Sequence, residues 1–197
     1  GSDLRIWDVS DPFNIREHST SFTGNIASFD ADLNILREFV AFSGRNYLVP
    51  ALRGAIVNQN LHASNVHDLV IVVPDIFRSE AERLAEFRRT HDGLSVLVVS
   101  PQQIYNEFSS GVPDISAIRN FMRMLYDRGI ATNNLPSYLL LFGNGTYDNK
   151  NKLGFGGNFI PTFQTLQSLN FSTSYISDDF FGLLSEFEGL DGRGSLD

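Results

Sequence analysis

Cysteine is absent from the 197 residues. That excludes a disulfide scaffold, a thiolate metal site and a cysteine nucleophile within these residues. Lysine stands only at Lys150 and Lys152, so a lysine clamp for phosphate lacks material. No apolar run approaches the ~20 residues that a membrane-spanning helix needs. Positive charge is the minority: 15 basic against 23 acidic side chains give a net charge of −8 and a pI near 4.9. Nucleic-acid binders normally show a basic face, so nucleic acid is not expected as a partner. The four histidines are scattered at 18, 62, 67 and 91. His62 and His67 miss the spacing of a helical metal pair, and no H-E-x-x-H, G-x-S-x-G or Walker A sequence occurs. No metal site is therefore expected on histidine. What is present is core material: 42% hydrophobic residues, with 17 Phe. A chain of this mass buries roughly 70% of its extended surface on folding. Gly1-Ser2 is neither an initiator Met nor a signal peptide, and reads as an expression scar on an excised fragment.

The chain changes rhythm near residue 67. From Leu4 to Val66 the pattern is β-like, with Leu33, Ile35, Phe39 and Ala41 on one parity as in a half-buried strand. Asp11-Pro12, Gly24-Asn25 and Gly44-Arg45-Asn46 supply turns. Beyond Asp68, strand and helix alternate. Leu69–Val73 is a continuous apolar run stopped by Pro74, as for a strand buried on both faces. Ser79 with Glu82 reads as a capping box for a helix burying Ala81, Leu84, Ala85 and Phe87, closed by His91-Asp92-Gly93. Leu94–Val99 repeats the strand pattern, and a short helix through Ile104, Tyr105 and Phe108 follows. Asp114 is an N-cap for a helix carrying Ile115, Ile118, Phe121, Met122 and Leu125, expected to end at Gly129. Tyr138–Phe142 is the third buried strand, and residues 185–197 read as a polar tail. The expectation is an α/β fold, a parallel sheet with flanking helices, preceded by a β-rich segment. Residues 1–66 form that segment and 67–197 the α/β part.

Two places carry candidate chemistry. In an open parallel sheet, ligands bind beyond the carboxyl ends of the strands. Gly143-Asn144-Gly145-Thr146-Tyr147-Asp148 stands there, but a dinucleotide fingerprint needs a third glycine where Asp148 is, with a helix straight after. The plain reading is a strand-to-loop turn; the alternative is a small-molecule site on that loop. Asp178-Asp179, before Phe180-Phe181-Gly182, offers oxygens to a structural calcium or a counter-charge to a cationic substrate side chain. In a strand only one of the two would face a given pocket. The plain reading is solvated loop acids. Calcium apart, no cofactor is expected.

Several runs together resemble a known family. They are Ala81–Arg89 with Asp92–Val96, Gln103–Gly111 with Ala117–Phe121, Tyr138–Gly143 and Ser177–Gly182, preceded by Trp7-Asp8-Val9 and Asn58–His62. In this order and spacing they resemble the gingipain-type cysteine peptidases, most closely the branch that acts as the sortase of type IX secretion. The resemblance implies a caspase-like peptidase domain in two subdomains, with a His-Cys dyad in the second. This chain would be the end of an N-terminal β region plus the first subdomain, ending just before the catalytic one. No catalytic residue can then be carried onto it, and the fragment alone would be inactive. The implied partners are secreted cargo with a C-terminal sorting signal and other type IX components, at the outer membrane or cell surface of a Gram-negative bacterium. A homodimer of the fragment is a further expectation. Gingipains place an acidic residue after the glycine that ends the third strand; here it is Asn144, an amide able to orient a histidine but not to stabilise its cation by charge. Asp178 resembles the acidic position near the family's substrate cleft. The competing reading is a non-catalytic binding or assembly module of a secretion or cell-surface protein.

Overall fold

The structure is a computed structural model that describes residues 3–185 except 33, 46, 53, 166–169, 171 and 173, together with residue 188. Outside the described residues lie Gly1 and Ser2, Leu33 of the expected alternation, Asn46 of the third turn and most of the expected polar tail. The chain divides into two units, residues 1–56 and 57–197.

In the first unit β1 (Leu4–Asp8) pairs antiparallel with β2 (Arg16–His18) on one side. After the hairpin of β3 (Ser21–Thr23) and β4 (Ile26–Ser28), β5 (Phe39–Ser43) pairs antiparallel with the other side of β1. Gly24 turns the β3–β4 hairpin at φ +60°, a conformation glycine takes without a Cβ penalty. The Asp11-Pro12 turn is held by the Asp11 carboxylate, which accepts from Phe13 N at 2.9 Å. The expected alternation does not hold. The strand begins only at Phe39, Ile35 is 62% exposed before it, and Ala41 is exposed within it. Phe39 packs edge-on against Phe29 instead.

The second unit begins with a 3-10 turn at Leu61–Ala63 and then holds the alternating elements. β6 (Leu69–Val72) is buried at every position. A 3-10 turn at Asp75–Phe77 runs into α1 (Arg78–His91), so the helix starts before Ser79 and no side chain caps it. The expected box at Ser79 and Glu82 is absent for that reason. Ala81 and Ala85 are buried, whereas Phe87 is 50% exposed and stacks on His91 rather than entering the core. Gly93, at φ +71°, ends the turn as expected. β7 (Val96–Val99) leads into α2 (Pro101–Phe108), where the reciprocal box lies between Ser100 and Gln103. α3 (Ile115–Thr132) is capped by Asp114, whose carboxylate accepts from Ser116 N at 2.8 Å. It runs past Gly129 and stops at Asn133, which adopts a left-handed conformation.

β8 (Tyr138–Leu141) completes a parallel sheet in the order β7-β6-β8. One face packs on α2 and α3 through Val70, Val72, Ile118, Phe121 and Leu125, and the other packs on α1 through Leu69, Ile71 and Ala85. β8 was expected to be buried; it is half-buried, with Tyr138 59% exposed, because it is an edge strand. A short ladder of β9 (Phe163–Gln164) and β10 (Ile176–Ser177) and a 3-10 turn at Asp179–Gly182 follow. Among the described residues no helix is long and apolar enough to cross a membrane.

Candidate active-site groove

Beyond the carboxyl end of β8 the backbone passes tightly beneath residues 159–162. A Cβ on Gly143 would stand 3.1 Å from Phe159 Cβ, and one on Gly145 only 2.5 Å from the Ile160 carbonyl oxygen. The two glycines thus let the two segments approach, and Asn144 O accepts from both Phe159 N (2.9 Å) and Ile160 N (3.2 Å). Asn144 is exposed, and its side-chain amide has no hydrogen-bond partner among the described residues. The backbone is pinned while the amide stays available. The rest of the loop is occupied by itself. Asp148 accepts from Lys152 N and Leu153 N at 2.8 and 2.7 Å, and Thr146 N donates to Asn158. Those contacts engage the Asp148 carboxylate and the Thr146 N–H within the loop itself.

Asp178 and Asp179 lie elsewhere, at the start of the 3-10 turn beside α3. They line a groove of about 500 Å³ along β8 together with Met122, Tyr138, Leu139 and Phe181. The pair sits in a turn, not a strand, so the two acids do not point to opposite faces and both border the same groove. Ser177 Oγ accepts from Asp179 N at 3.0 Å, and Asp178 O accepts from Phe181 N at 3.1 Å. The turn is thus shaped by backbone bonds that leave both carboxylates exposed. Asn144 does not border this groove.

A second groove, of about 600 Å³, follows β8 on the α1 side, between Leu84, Arg88 and Leu94. β8 pairs with β6 alone among the described residues, so its outer edge is open between the two grooves.

Arg119 was missed. It stands on the apolar stripe of α3, four residues after Ile115, and is 7% exposed. Its Nε donates to Leu183 O (2.7 Å) and its Nη2 to Glu188 O (2.6 Å), while the guanidinium lies 5.6 Å from the Phe180 ring centre. The available signal was a cation at a core-facing helical position, which needs buried acceptors. Among the described residues no group of three His, Asp or Glu side chains could hold a metal ion. His62 Nδ1 lies 2.7 Å from Glu107, while burial pushes His67 down.

A model of peptidase family C25 matches residues 62–194. The chain belongs to peptidase family C25. The solved structure of dimeric latent PorU from Porphyromonas gingivalis is similar to it, with 34% identity and a TM-score of 0.70 over 94% of this chain. The match covers 19% of the PorU chain, so this C25 chain spans about a fifth of that relative. No curated protein matches it. Both grooves lie within the C25-matched residues, as do Asn144 and Asp178. C25 enzymes are cysteine peptidases, and these residues contain no cysteine; the thiolate has no source here.

Proposed function

We propose that the chain is the first part of a PorU-like cysteine endopeptidase and transpeptidase, with its His-Cys dyad on the polypeptide that follows. The reading rests on one observation: 34% identity to PorU across 94% of the chain. In this reading the thiolate attacks the peptide carbonyl next to a C-terminal sorting signal. The signal leaves as an amine that takes a proton from histidine, and a thioester remains. An amine on a surface anchor then attacks the thioester and gives its proton to histidine, and the sulfur is released as the thiolate. Asn144, pinned by its backbone but free at its amide, orients the imidazole. The acidic groove at Asp178 and Asp179 receives a cationic side chain of the cargo.

The partners are secreted cargo, other components of type IX secretion and a second copy, as in the dimeric relative. The site of action is the outer surface of a Gram-negative cell. The test is cargo-signal cleavage by the protein expressed with the polypeptide that follows residue 197. Cleavage that disappears when the downstream cysteine is changed to alanine supports the reading. Undiminished cleavage by that variant, or cysteine-independent cleavage by the present 197 residues alone, sinks it.

A further inference from the structure

Nothing in the side chains of Asp178 and Asp179 holds them where they are: neither carboxylate has a hydrogen-bond partner among the described residues. Their place depends on the backbone on either side. Before them, Ser177 pairs with Phe163 in the β9–β10 ladder. After them the chain turns through Phe180, Phe181 and Leu183, all buried, and is met by a single buried cation. Arg119 uses the fork of its guanidinium to bind the carbonyls of Leu183 and Glu188, five residues apart, at 2.7 and 2.6 Å. Its Cζ also lies 5.6 Å from the ring centre of Phe180, the residue next to Asp179, and that ring stacks in turn on Phe163 at 4.8 Å. The guanidinium therefore touches the turn at Phe180 and the chain just after it at Leu183 and Glu188.

We infer that Arg119 is a positioning residue for the groove's acid pair, holding the Asp178–Gly182 turn so that both carboxylates border the strand edge. The inference rests on the reading of that groove as the seat of a cationic substrate side chain. Burying a guanidinium is costly unless its donors are met, and a hydrophobic residue at 119 would fill the space without that cost. The arrangement is accounted for if what matters is where the turn sits. Lysine cannot replace it: an ammonium is a compact point charge without the planar fork, so it cannot bridge both carbonyls while lying beside Phe180.

The experiment uses the protein carrying its downstream dyad and two matched peptides, one cationic and one neutral at the residue the groove receives. The quantity read is the ratio of kcat/KM for the two peptides in wild type, Asp178→Asn, Arg119→Lys and Phe180→Leu, with thermal unfolding of each as a check on folding. The expected result is that Asp178→Asn and Arg119→Lys both reduce the preference for the cationic peptide about tenfold, through KM, and that Arg119→Lys keeps kcat on the neutral peptide within about twofold. If Arg119→Lys does not fold, Phe180→Leu, which keeps apolar volume but removes the stacked ring, is expected to lower the same ratio. A normal ratio in folded Arg119→Lys, or in Phe180→Leu where that variant must stand in, overturns the inference while a lowered ratio in Asp178→Asn leaves the groove reading intact. A normal ratio in Asp178→Asn overturns the groove reading itself, and the inference with it.

Discussion

The Glu107 carboxylate accepts from Gln59 Nε2, Leu61 N and His62 N at 2.8, 2.7 and 3.1 Å, with His62 Nδ1 a further 2.7 Å away. Burial alone would raise its pKa, but these donors outweigh it and hold the group at about 2, against an ordinary 4.5. A folded pKa below the unfolded one means stability that is present in full above pH ~4.5 and is lost as the pH falls toward 2. Glu107→Gln is therefore expected to cost about 1–2 kcal/mol at pH 7 and to flatten the acid limb of the stability profile, read by urea unfolding between pH 2 and 7. Asn144 makes a different prediction. In the protein with its downstream dyad, Asn144→Ala is expected to lower kcat about 10- to 100-fold, the usual cost of losing the partner that orients a working histidine. Asn144→Asp, which restores the family's acid, should recover activity and raise the pKa seen in the kcat–pH profile. Steady-state kinetics across pH 5–9 checks both.

At the scale of elements, two helix ends differ from what their sequences suggest. Ser79 and Glu82 have the right spacing for a box, yet the 3-10 turn at Asp75–Phe77 had already begun the helical path. Ser100 and Gln103 have the same signature and do form the box, with Gln103 N donating to Ser100 Oγ at 3.2 Å and Ser100 N to Gln103 Oε1 at 2.9 Å. Ser100→Ala should cost about 1 kcal/mol and Ser79→Ala less than about 0.5 kcal/mol, by chemical denaturation. Gly129 reads as a helix stop but lies inside α3, where a Cβ would meet Asn134 O at 2.6 Å and Leu135 Cα at 3.0 Å. The glycine serves the close return of the chain rather than the end of the helix. Gly129→Ala is expected to destabilise by about 1–3 kcal/mol, although alanine is ordinarily the better helix former. Local signals found the strands Leu69–Val72 and Val96–Val99 and the stripe of α3, because burial on a sheet or helix face writes a period into the sequence. They missed that β8 is an edge and that Asp178 and Asp179 share a groove, since both depend on which distant segment lies alongside.

Across the whole molecule the exposed apolar surface is uneven. Among the described residues the parallel sheet ends at β8, where Tyr138 is open and grooves run along both faces. An unpaired strand edge with apolar flanks is a template for pairing with another chain. The 197 residues alone are expected to self-associate in a concentration-dependent way, and Tyr138→Lys to reduce it, as seen by sedimentation velocity. Equal sedimentation of the two across a hundredfold range of concentration would count against this. The net charge of −8 opposes association only at long range and is screened at physiological salt.

The order β7-β6-β8 also sets a timetable. The middle strand is made first, and its two neighbours follow it off the ribosome, the second after α1, β7, α2 and α3 have all emerged. At roughly 5–20 residues per second, β6 waits several seconds for β8. During that interval a fully apolar strand, Leu69–Val72, has no partner on one side and is a segment that a holding chaperone would meet.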